Sequence, residues 1–327
     1  MNDAKTPDLS SPGRLTARVR VGAALLLALA PMLALAPMLA LAQPRPAPEQ
    51  SLPESETLRR IVETGTISLG HRESSVPFSY YDGRKRVVGY SHELMLRVVD
   101  SLKTELKLPA LTLRLVPLTT QNRIPLVRNG TVDLECGSTT HTADRARQVA
   151  FSTTFFIAGT RLLVRRGSPI RDFSDLAGRS AVVTAGTTSE RLLRTHVERR
   201  RLEVRIVTVR DHEEAFLALE SGRAEAFMMD DALLYGARAR AVRPGDWEVV
   251  GTPMSQEAYA CMMRRGDPEF KAAVDRALVR LMQSGEAMRT YQRWFQEPIP
   301  PWGLNLNWPP SPAMLQLQRS PNDRPLG

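Results

Sequence analysis

After residue 42 the sequence contains no apolar run long enough to cross a membrane, which takes about 20 residues, and it contains only two cysteines, Cys136 and Cys261. The first absence excludes further membrane spans and predicts a soluble, exported chain after that point. The second absence leaves two alternatives open. The cysteines form a disulfide if the protein folds in an oxidising compartment, or they are a pair of buried free thiols.

The motifs of several function classes are also absent. The formal net charge is +9, but no nucleic-acid motif and no interleaving of aromatic with basic residues accompanies it. We therefore expect no nucleic-acid partner and instead an attraction for acidic solutes. The segment ECGST around Ser138 lacks the G-x-S-x-G turn that presents a nucleophilic serine. We do not expect Ser138, His212 and an aspartate to form a hydrolytic triad.

The first 42 residues have the pattern of a secretory signal peptide. Arg14, Arg18 and Arg20 precede the uncharged run VGAALLLALAPMLALAPMLALA, which ends in an Ala-Leu-Ala cleavage signal. We predict cleavage after Ala42. An uncleaved membrane anchor is the alternative, because the run is long enough to span a bilayer. No cysteine follows the cleavage signal, which argues against a lipid-anchored protein.

Alternating strand and helix patterns predict an α/β fold. The chain is too long for one core of ordinary size and suits two lobes of roughly 100 to 150 residues each. The segments TISLG, LTLRLVPL and TVDLECG have strand patterns and are separated by predicted helices, and a second run of the same kind begins near residue 175. This order predicts mainly parallel sheets flanked by helices.

Two flanking segments are rich in proline. We expect residues 43–56 to be a flexible leader, and the tail from Pro298 to lie along the surface without regular elements. Between them, SHELMLRVVDSLKTEL predicts a helix capped by Ser91. Asp267 and Pro268 open another helix, whose apolar residues recur at helical spacing.

Arg72 and His212 stand at positions where α/β proteins often keep ligand groups. Arg72 comes directly after the strand pattern ISLGH, so it is either an anchor for an anion or a surface charge. His212 lies between Asp211 and Glu214, which have the spacing of a capping box. A histidine in that place is more often a capping or surface residue than a ligand contact.

The segment VVTAGTTSE predicts an anion site. Thr187 and Glu190 have the spacing of a capping box, and Gly186 lets a ligand approach the N–H groups of a helix N-terminus. The lysine of a nucleotide-binding P-loop is missing, so a carboxylate fits better than a triphosphate. A plain capped helix is the alternative.

Long segments of the sequence resemble one known family. GHRESSVPFSYYDG, TTQNRIPLVRNGTVDLECGSTT, GTRLL, LESGRAEAFMMDDALL and SQEAYACMMRRGDP are similar to the periplasmic glutamate/aspartate-binding proteins of amino-acid ABC transporters, which are solute-binding proteins of family 3. Together with VVTAGTTSE they extend the resemblance over residues 57–310. It implies capture of L-glutamate and L-aspartate in the periplasm by a monomer that needs no cofactor, followed by delivery to a membrane permease.

The same resemblance implies a two-lobed periplasmic binding protein fold, or Venus flytrap, with mainly parallel sheets and two interlobe crossings. The crossings fall near residues 157–160 and 251–255. Lobe 1 then comprises residues 57–157 and 255–310, lobe 2 residues 158–254, and the tail residues 311–327. Both cysteines fall in lobe 1, which makes a bridge between Cys136 and Cys261 possible.

The resemblance also implies a set of binding residues. Those expected around the side-chain carboxylate are Arg72, Thr120, Arg123 and His212. Those expected to hold the α-carboxylate are Ser138, Thr140, Arg145 and Thr188, and Asp230 is expected to face the α-ammonium. Thr120 departs from the serine of the family's pattern but retains a hydroxyl. Three arginines and one aspartate match the two carboxylates and one ammonium of a dicarboxylic amino acid.

Two other function classes share this fold. One is an enzyme, a cyclohexadienyl or arogenate dehydratase; the other is the sensory module of a receptor. The fit of three arginines to a dicarboxylic ligand disfavours the dehydratase. The absence of a second transmembrane segment or a kinase-like region disfavours the sensor.

Overall fold

The computed structural model describes residues 53–326. The predicted signal peptide and residues 43–52 of the predicted leader lie outside this range. The end of the leader is not irregular, because Ser55 caps the first helix and its hydroxyl accepts a hydrogen bond from Leu58 N at 3.0 Å. Between residues 53 and 326, no helix has the length and apolar character that crossing a membrane requires.

Helices and strands alternate along the described chain, as the sequence predicted. The helices are α1 Glu56–Thr64, α2 Tyr90–Glu105, α3 Arg123–Arg128, α4 Ala143–Ala146, α5 Thr188–Arg200, α6 His212–Glu220, α7 Asp231–Arg240, α8 Pro268–Gln283, α9 Glu286–Phe295 and α10 Pro312–Arg319. The strands are β1 Thr66–His71, β2 Ser74–Ser75, β3 Ser79–Tyr81, β4 Val87–Val88, β5 Thr112–Pro117, β6 Leu134–Glu135, β7 Ala150–Arg165, β8 Arg179–Thr184, β9 Val204–Val209, β10 Ala226–Asp230, β11 Trp247–Val250 and β12 Gln256–Met263.

The larger sheet runs through two lobes in the order β5-β1-β6-β12-β7-β10-β8-β9, with β11 also paired to β7. Lobe 1 holds the parallel pairs of β1 with β5 and β6, and lobe 2 holds the parallel pairs of β8 with β9 and β10. The strands β7 and β12 are antiparallel to their neighbours. The structure therefore confirms a two-lobed α/β fold with mainly parallel sheets.

The long strand β7 is the first connection between the lobes. Up to Gly159 it pairs with β12 of lobe 1, and from Thr160 onward it pairs with β10 of lobe 2. The chain returns in the segment between Val250, the last residue of β11, and Gln256, the first of β12. Two crossings side by side form a hinge across which the lobes can rotate.

Helical periodicity determines how the helices of lobe 1 pack. Four apolar residues that recur along α8 at helical spacing are all buried, namely Phe270, Val274, Leu278 and Leu281. The aromatic residues of α9 lie in the same core, where the ring of Phe295 stacks on that of Tyr291 with centroids 4.4 Å apart. This cluster packs the helices against β7 and β12, which fixes the strand ends that border the cleft.

The start of α2 differs from the prediction. The helix begins at Tyr90 with Gly89 as its N-cap, and the Ser91 hydroxyl donates instead to the carbonyl of Phe78 at 3.0 Å. Gly89 has φ 135°, and a Cβ at this position would clash with the same carbonyl. A glycine is therefore required where the sequence pattern favoured a serine cap.

The prediction for the C-terminal tail was wrong, because the tail contains α10. Ser311 caps this helix and Pro312 occupies its first position, where a proline is well tolerated. Met314 is 1% exposed and Leu317 is 4% exposed, and the helix packs against β7 and α8. The proline content suggested an irregular segment, but the serine-proline pair is itself a helix-start signal.

A disulfide joins Cys136 and Cys261 within lobe 1. It connects the residue after β6 to the middle of β12, so it ties together the two strands that border the cleft on this side. Within residues 53–326 neither thiol is free.

Candidate functional site

The nine predicted binding residues converge on the cleft between the lobes. In lobe 1 they follow the carboxyl ends of β1, β5 and β6, and in lobe 2 they lie at or just after the ends of β8, β9 and β10. The carboxyl ends of parallel strands are where open α/β sheets bind ligands. All nine are buried except Arg145, which is partly exposed at the mouth of the cleft.

Arg72 and Arg123 place two buried guanidinium groups in the lobe 1 wall, and each is only 2% exposed. Within the described chain, Arg72 Nε and Nη1 and Arg123 Nε are buried without a hydrogen-bond partner. Burial, and next the neighbouring Arg123, lower the pKa of Arg72 to about 10, so it remains protonated at neutral pH. Buried cations with unused donors match an anionic ligand group.

His212 faces these arginines from lobe 2. It is the first residue of α6, it is buried, and its Nδ1 lies 2.9 Å from the Thr184 hydroxyl oxygen. Burial, followed by the charges of Arg72 and Arg123, holds the pKa of His212 well below its usual value of 6.5. A neutral imidazole therefore lies beside the two cations and adds no charge to them.

The two predicted capping boxes are only half formed. Thr187 accepts a hydrogen bond from Glu190 N at 3.1 Å, and Asp211 accepts one from Glu214 N at 2.9 Å. Each glutamate side chain accepts its hydrogen bond from the residue before the cap instead: Gly186 N donates to Glu190 at 2.9 Å, and Arg210 N donates to Glu214 at 3.0 Å. Both helices are still capped at the cleft, so their first residues are held in place.

The residues expected near the α-carboxylate come from both walls of the cleft. Arg145 donates to the Thr140 carbonyl at 2.9 Å and, across the cleft, to the Gly186 carbonyl at 3.2 Å. Thr188 is the first residue of α5, and its hydroxyl donates to Glu257 Oε2 at 2.9 Å. Ser138 is buried, and its carbonyl lies 3.5 Å from Arg123 Nη1.

Asp230, at the end of β10, is surrounded by buried polar side chains, among them a second acid. Asp230 accepts hydrogen bonds from the hydroxyl of Tyr259 and from that of Thr160, the latter at 3.1 Å. Glu257 is also buried and accepts from Ser255 and Thr188. Burial, and next the repulsion from Glu257, raise the pKa of Asp230 to about 8. A cationic group placed here would favour the ionised form of Asp230.

Sequence reasoning missed four of the buried polar residues that build this site: Glu135, Thr139, Tyr259 and Glu257. For Glu135 and Glu257 the available signal was an acid within a mainly apolar strand segment, as in TVDLECG and QEAYACMM. Such an acid is almost never buried without a partner. Glu135 is 0% exposed, and its Oε2 accepts a hydrogen bond from the Thr139 hydroxyl at 3.0 Å.

Hydrogen bonds and an ion pair connect the two lobes directly. The Thr120 hydroxyl donates to the carbonyl of Ala185 at 2.6 Å, so this residue contacts lobe 2 as well as bordering the site. Asp144 and Arg191 form an exposed ion pair across the cleft at 3.1 Å. The cleft is therefore closed over the buried arginines. Residues 53–326 contain no cluster of three or more His, Cys, Asp or Glu side chains suited to a metal ion.

The sequence has close relatives among transport proteins. Residues 67–297 match the bacterial extracellular solute-binding proteins, family 3. A glutamate/aspartate import solute-binding protein of Salmonella typhimurium is 52% identical over 270 residues, which are 83% of this chain and 89% of that protein. An L-glutamate/L-aspartate-binding protein of Pseudomonas aeruginosa is 53% identical over 269 residues, which are 82% of this chain and 89% of that protein.

Solved structures show the same architecture. An ancestral arginine-binding protein bound to glutamine superposes with a TM-score of 0.64 at 27% sequence identity, covering 71% of this chain and 98% of that chain. Its match extends across both lobes described above. The architecture is therefore that of two-lobed amino-acid-binding proteins.

Proposed function

The chain belongs to family 3 of the bacterial extracellular solute-binding proteins, and on this premise we propose that it captures L-glutamate and L-aspartate in its cleft and delivers them to the permease of an ABC importer. The observation that carries the proposal is the pair of buried arginines, Arg72 and Arg123, whose donors lack partners within the described chain. The relatives that share about half of its residues are transport proteins for these two amino acids and not enzymes.

The charges of the site support a division into two halves. The distal half contains Arg72, Thr120, Arg123 and His212 and takes the ligand's side-chain carboxylate. The proximal half contains Ser138, Thr140, Arg145 and Thr188 and takes the α-carboxylate, while Asp230 pairs with the α-ammonium. Guanidinium groups suit both carboxylates because their planar donors match a carboxylate's two oxygens.

The location follows from the same premise. Extracellular solute-binding proteins work outside the cytoplasmic membrane, and we assign this one to the periplasm. Its first 42 residues act as the signal peptide, with cleavage after Ala42, and the mature chain works as a monomer. Mass spectrometry of protein exported from its host would give a chain starting at Gln43. A mass that retains the first 42 residues would contradict this assignment.

A ligand panel tests the proposed function. Thermal unfolding of the mature chain is followed with each of the common amino acids, because a ligand that binds only the folded state raises the midpoint. We expect the midpoint to rise with glutamate and with aspartate. A rise with arginine or glutamine and none with the two acids would refute it.

A further inference from the structure

Glu135 occupies a space that the backbone keeps open for it. This residue ends β6 and is fully buried. A methyl group at Gly137 would clash with its Oε1, and a methyl group at Gly70 would lie 3.1 Å from its Cγ. The side chain is therefore packed on two glycines, with its carboxyl group against Gly137 and its Cγ against Gly70. The position of the Gly137 methyl group also lies 3.5 Å from Arg72 Cγ, which places the carboxyl group next to that arginine.

A single hydroxyl connects Glu135 to the other arginine. Arg123 Nη1 donates to Thr139 Oγ1 at 2.6 Å, and Thr139 Oγ1 donates in turn to Glu135 Oε2 at 3.0 Å. Within residues 53–326, Glu135 Oε1 has no hydrogen-bond partner. Both oxygens thus lie on the arginine side of the strand end, one linked to Arg123 through Thr139 and one beside Arg72.

The net charge of the distal half of the site is the sum of the charges of its side chains. Arg72 and Arg123 contribute two positive charges, the neutral His212 contributes none, and an ionised Glu135 contributes one negative charge. Burial opposes ionisation and raises the pKa of Glu135, whereas Arg123 and Arg72 oppose that rise. Without Glu135, two buried guanidinium groups would face a single ligand carboxylate.

We propose that Glu135 is a specificity-determining residue, whose carboxylate offsets one of the two arginines so that the distal half of the site carries one net positive charge. This inference rests on the proposed function. A net charge of one matches one carboxylate. A neutral amide would leave this positive charge of the site unpaired. A doubly charged group would bring one negative charge more than the site can balance.

Two variants separate the charge of Glu135 from its geometry. Glu135→Gln removes the charge but keeps an acceptor for Thr139, and Thr139→Val keeps the charge but breaks the link. Calorimetry with glutamate and glutamine should show that Glu135→Gln raises the preference for glutamate at least about tenfold, the effect of one uncompensated charge at an effective dielectric constant of about 20. Thr139→Val should weaken both ligands and change the preference less than about threefold.

A purely structural role gives a different result, because damage to the site weakens glutamate and glutamine alike. A Glu135→Gln variant with the wild-type preference would overturn the proposal. Failure of the wild-type protein to bind glutamate would instead overturn the proposed function. The two failures are therefore distinguishable.

A measurement on the wild-type protein does not depend on how the variants fold. The probe is L-2-amino-4-phosphonobutanoate, whose distal group goes from one to two negative charges between about pH 6 and pH 8. Its affinity, divided by that of glutamate at the same pH, should fall as the second charge forms. A ratio that rises with pH would show a distal half with two net positive charges and would overturn the proposal.

Discussion

In the proposed site, Arg72 binds the ligand through a buried guanidinium group whose hydrogen-bond donors the fold leaves unused. Its guanidinium lies after the end of β1 with two nitrogens lacking partners within the described chain, and its carbon stem packs on the backbone beside Gly137. The fold itself stabilises this cation poorly, since burial opposes its charge. A ligand carboxylate would recover that lost stabilisation, so the binding free energy should depend strongly on this side chain.

Replacing Arg72 by methionine should cripple glutamate binding. Removing one partner of a buried ion pair costs roughly 3 to 5 kcal/mol, which corresponds to about two to three orders of magnitude in affinity. The gap between glutamate and glutamine should narrow at the same time, because the penalty against an amide also disappears. Calorimetric titration of both ligands measures both effects.

The matched control is Arg84→Met, which removes an exposed arginine of the same lobe. It should leave the glutamate affinity unchanged within about twofold, since exposed charges contribute little. Wild-type affinity in Arg72→Met would show that this arginine does not hold the ligand.

His212 should make the stability of the unliganded protein depend on pH. The unfolded chain binds a proton near pH 6.5, whereas the folded protein holds the pKa of His212 well below that value. The free energy of unfolding is therefore unaffected by this histidine above pH 6.5, and it decreases as the pH falls below that value, because only the unfolded chain takes up the proton. The control is His212→Asn, which keeps a hydrogen-bond partner for Thr184 but does not titrate. Urea unfolding should show that the free energy of unfolding of the wild type falls more steeply than that of the variant between about pH 6 and pH 5, by up to about 1.4 kcal/mol per pH unit. Parallel stability curves for the two proteins would contradict this.

The sequence could indicate some of these residues but not all. The position of Arg72 after a strand, and the caps at Thr187 and Asp211, are local patterns that indicate the cleft. The resemblance to a family supplied the rest of the binding set. Glu135 and Glu257 were missed although each lies in a mainly apolar strand segment, because whether such an acid is buried depends on packing that brings distant segments together.

Strand β7 forms one crossing of the hinge, and helix α10 packs against it. Strand β7 continues from one lobe into the other, and α10 packs against its lobe 1 part. The backbone N–H of Thr154 in β7 also donates to the carbonyl of Asn322 at 2.8 Å. The ring of Trp308 lies 5.0 Å from that of Tyr235 in lobe 2. The C-terminal segment is therefore part of the folded structure and packs next to the hinge strand β7.

The burial of α10 predicts an asymmetric effect of two identical substitutions. Leu317 is 4% exposed and Leu315 on the same helix is 39% exposed. Leu317→Ala should lower the free energy of unfolding by about 2 to 3 kcal/mol, because it removes buried apolar area and leaves a cavity. Leu315→Ala should change it by less than about 0.5 kcal/mol. Urea unfolding measures both, and equal effects of the two substitutions would show that α10 does not dock.

The helical spacing of apolar residues predicted the helices that have a clear apolar face. Helices α2 and α8 have long apolar stripes, and their existence followed from spacing alone, although the first residue of α2 did not. Strand β7 was harder, because its residues are buried in two different lobes and give no period-two alternation. Helix α10 is short and begins at a proline, so composition outweighed its capping signal.

At the scale of the whole molecule, the contacts across the cleft describe a closed state. They include the bond from Thr120 to Ala185 and the ion pair of Asp144 with Arg191. Gly236 of lobe 2 lies so close to the carbonyl of Val76 in lobe 1 that a Cβ there would clash with it. A ligand that contacts both lobes favours this arrangement over any open one.

Glutamate should therefore compact the protein in solution. Small-angle scattering of the mature chain should show a smaller radius of gyration with saturating glutamate than without it. At a glutamate concentration that only just saturates the wild type, Arg72→Met should show little change, because it binds glutamate about two to three orders of magnitude more weakly. Identical scattering of the wild type with and without glutamate would count against ligand-driven closure.

Selection of a distal carboxylate by two buried arginines can be measured by titrating the wild-type protein with glutamate and with glutamine. The two ligands have nearly the same shape and differ in one charge. Leaving a buried guanidinium unpaired costs roughly 3 to 5 kcal/mol, so calorimetry at neutral pH should show glutamate binding about 100- to 1,000-fold more tightly than glutamine. Equal affinities, or a preference for glutamine, would show that these arginines do not select a carboxylate.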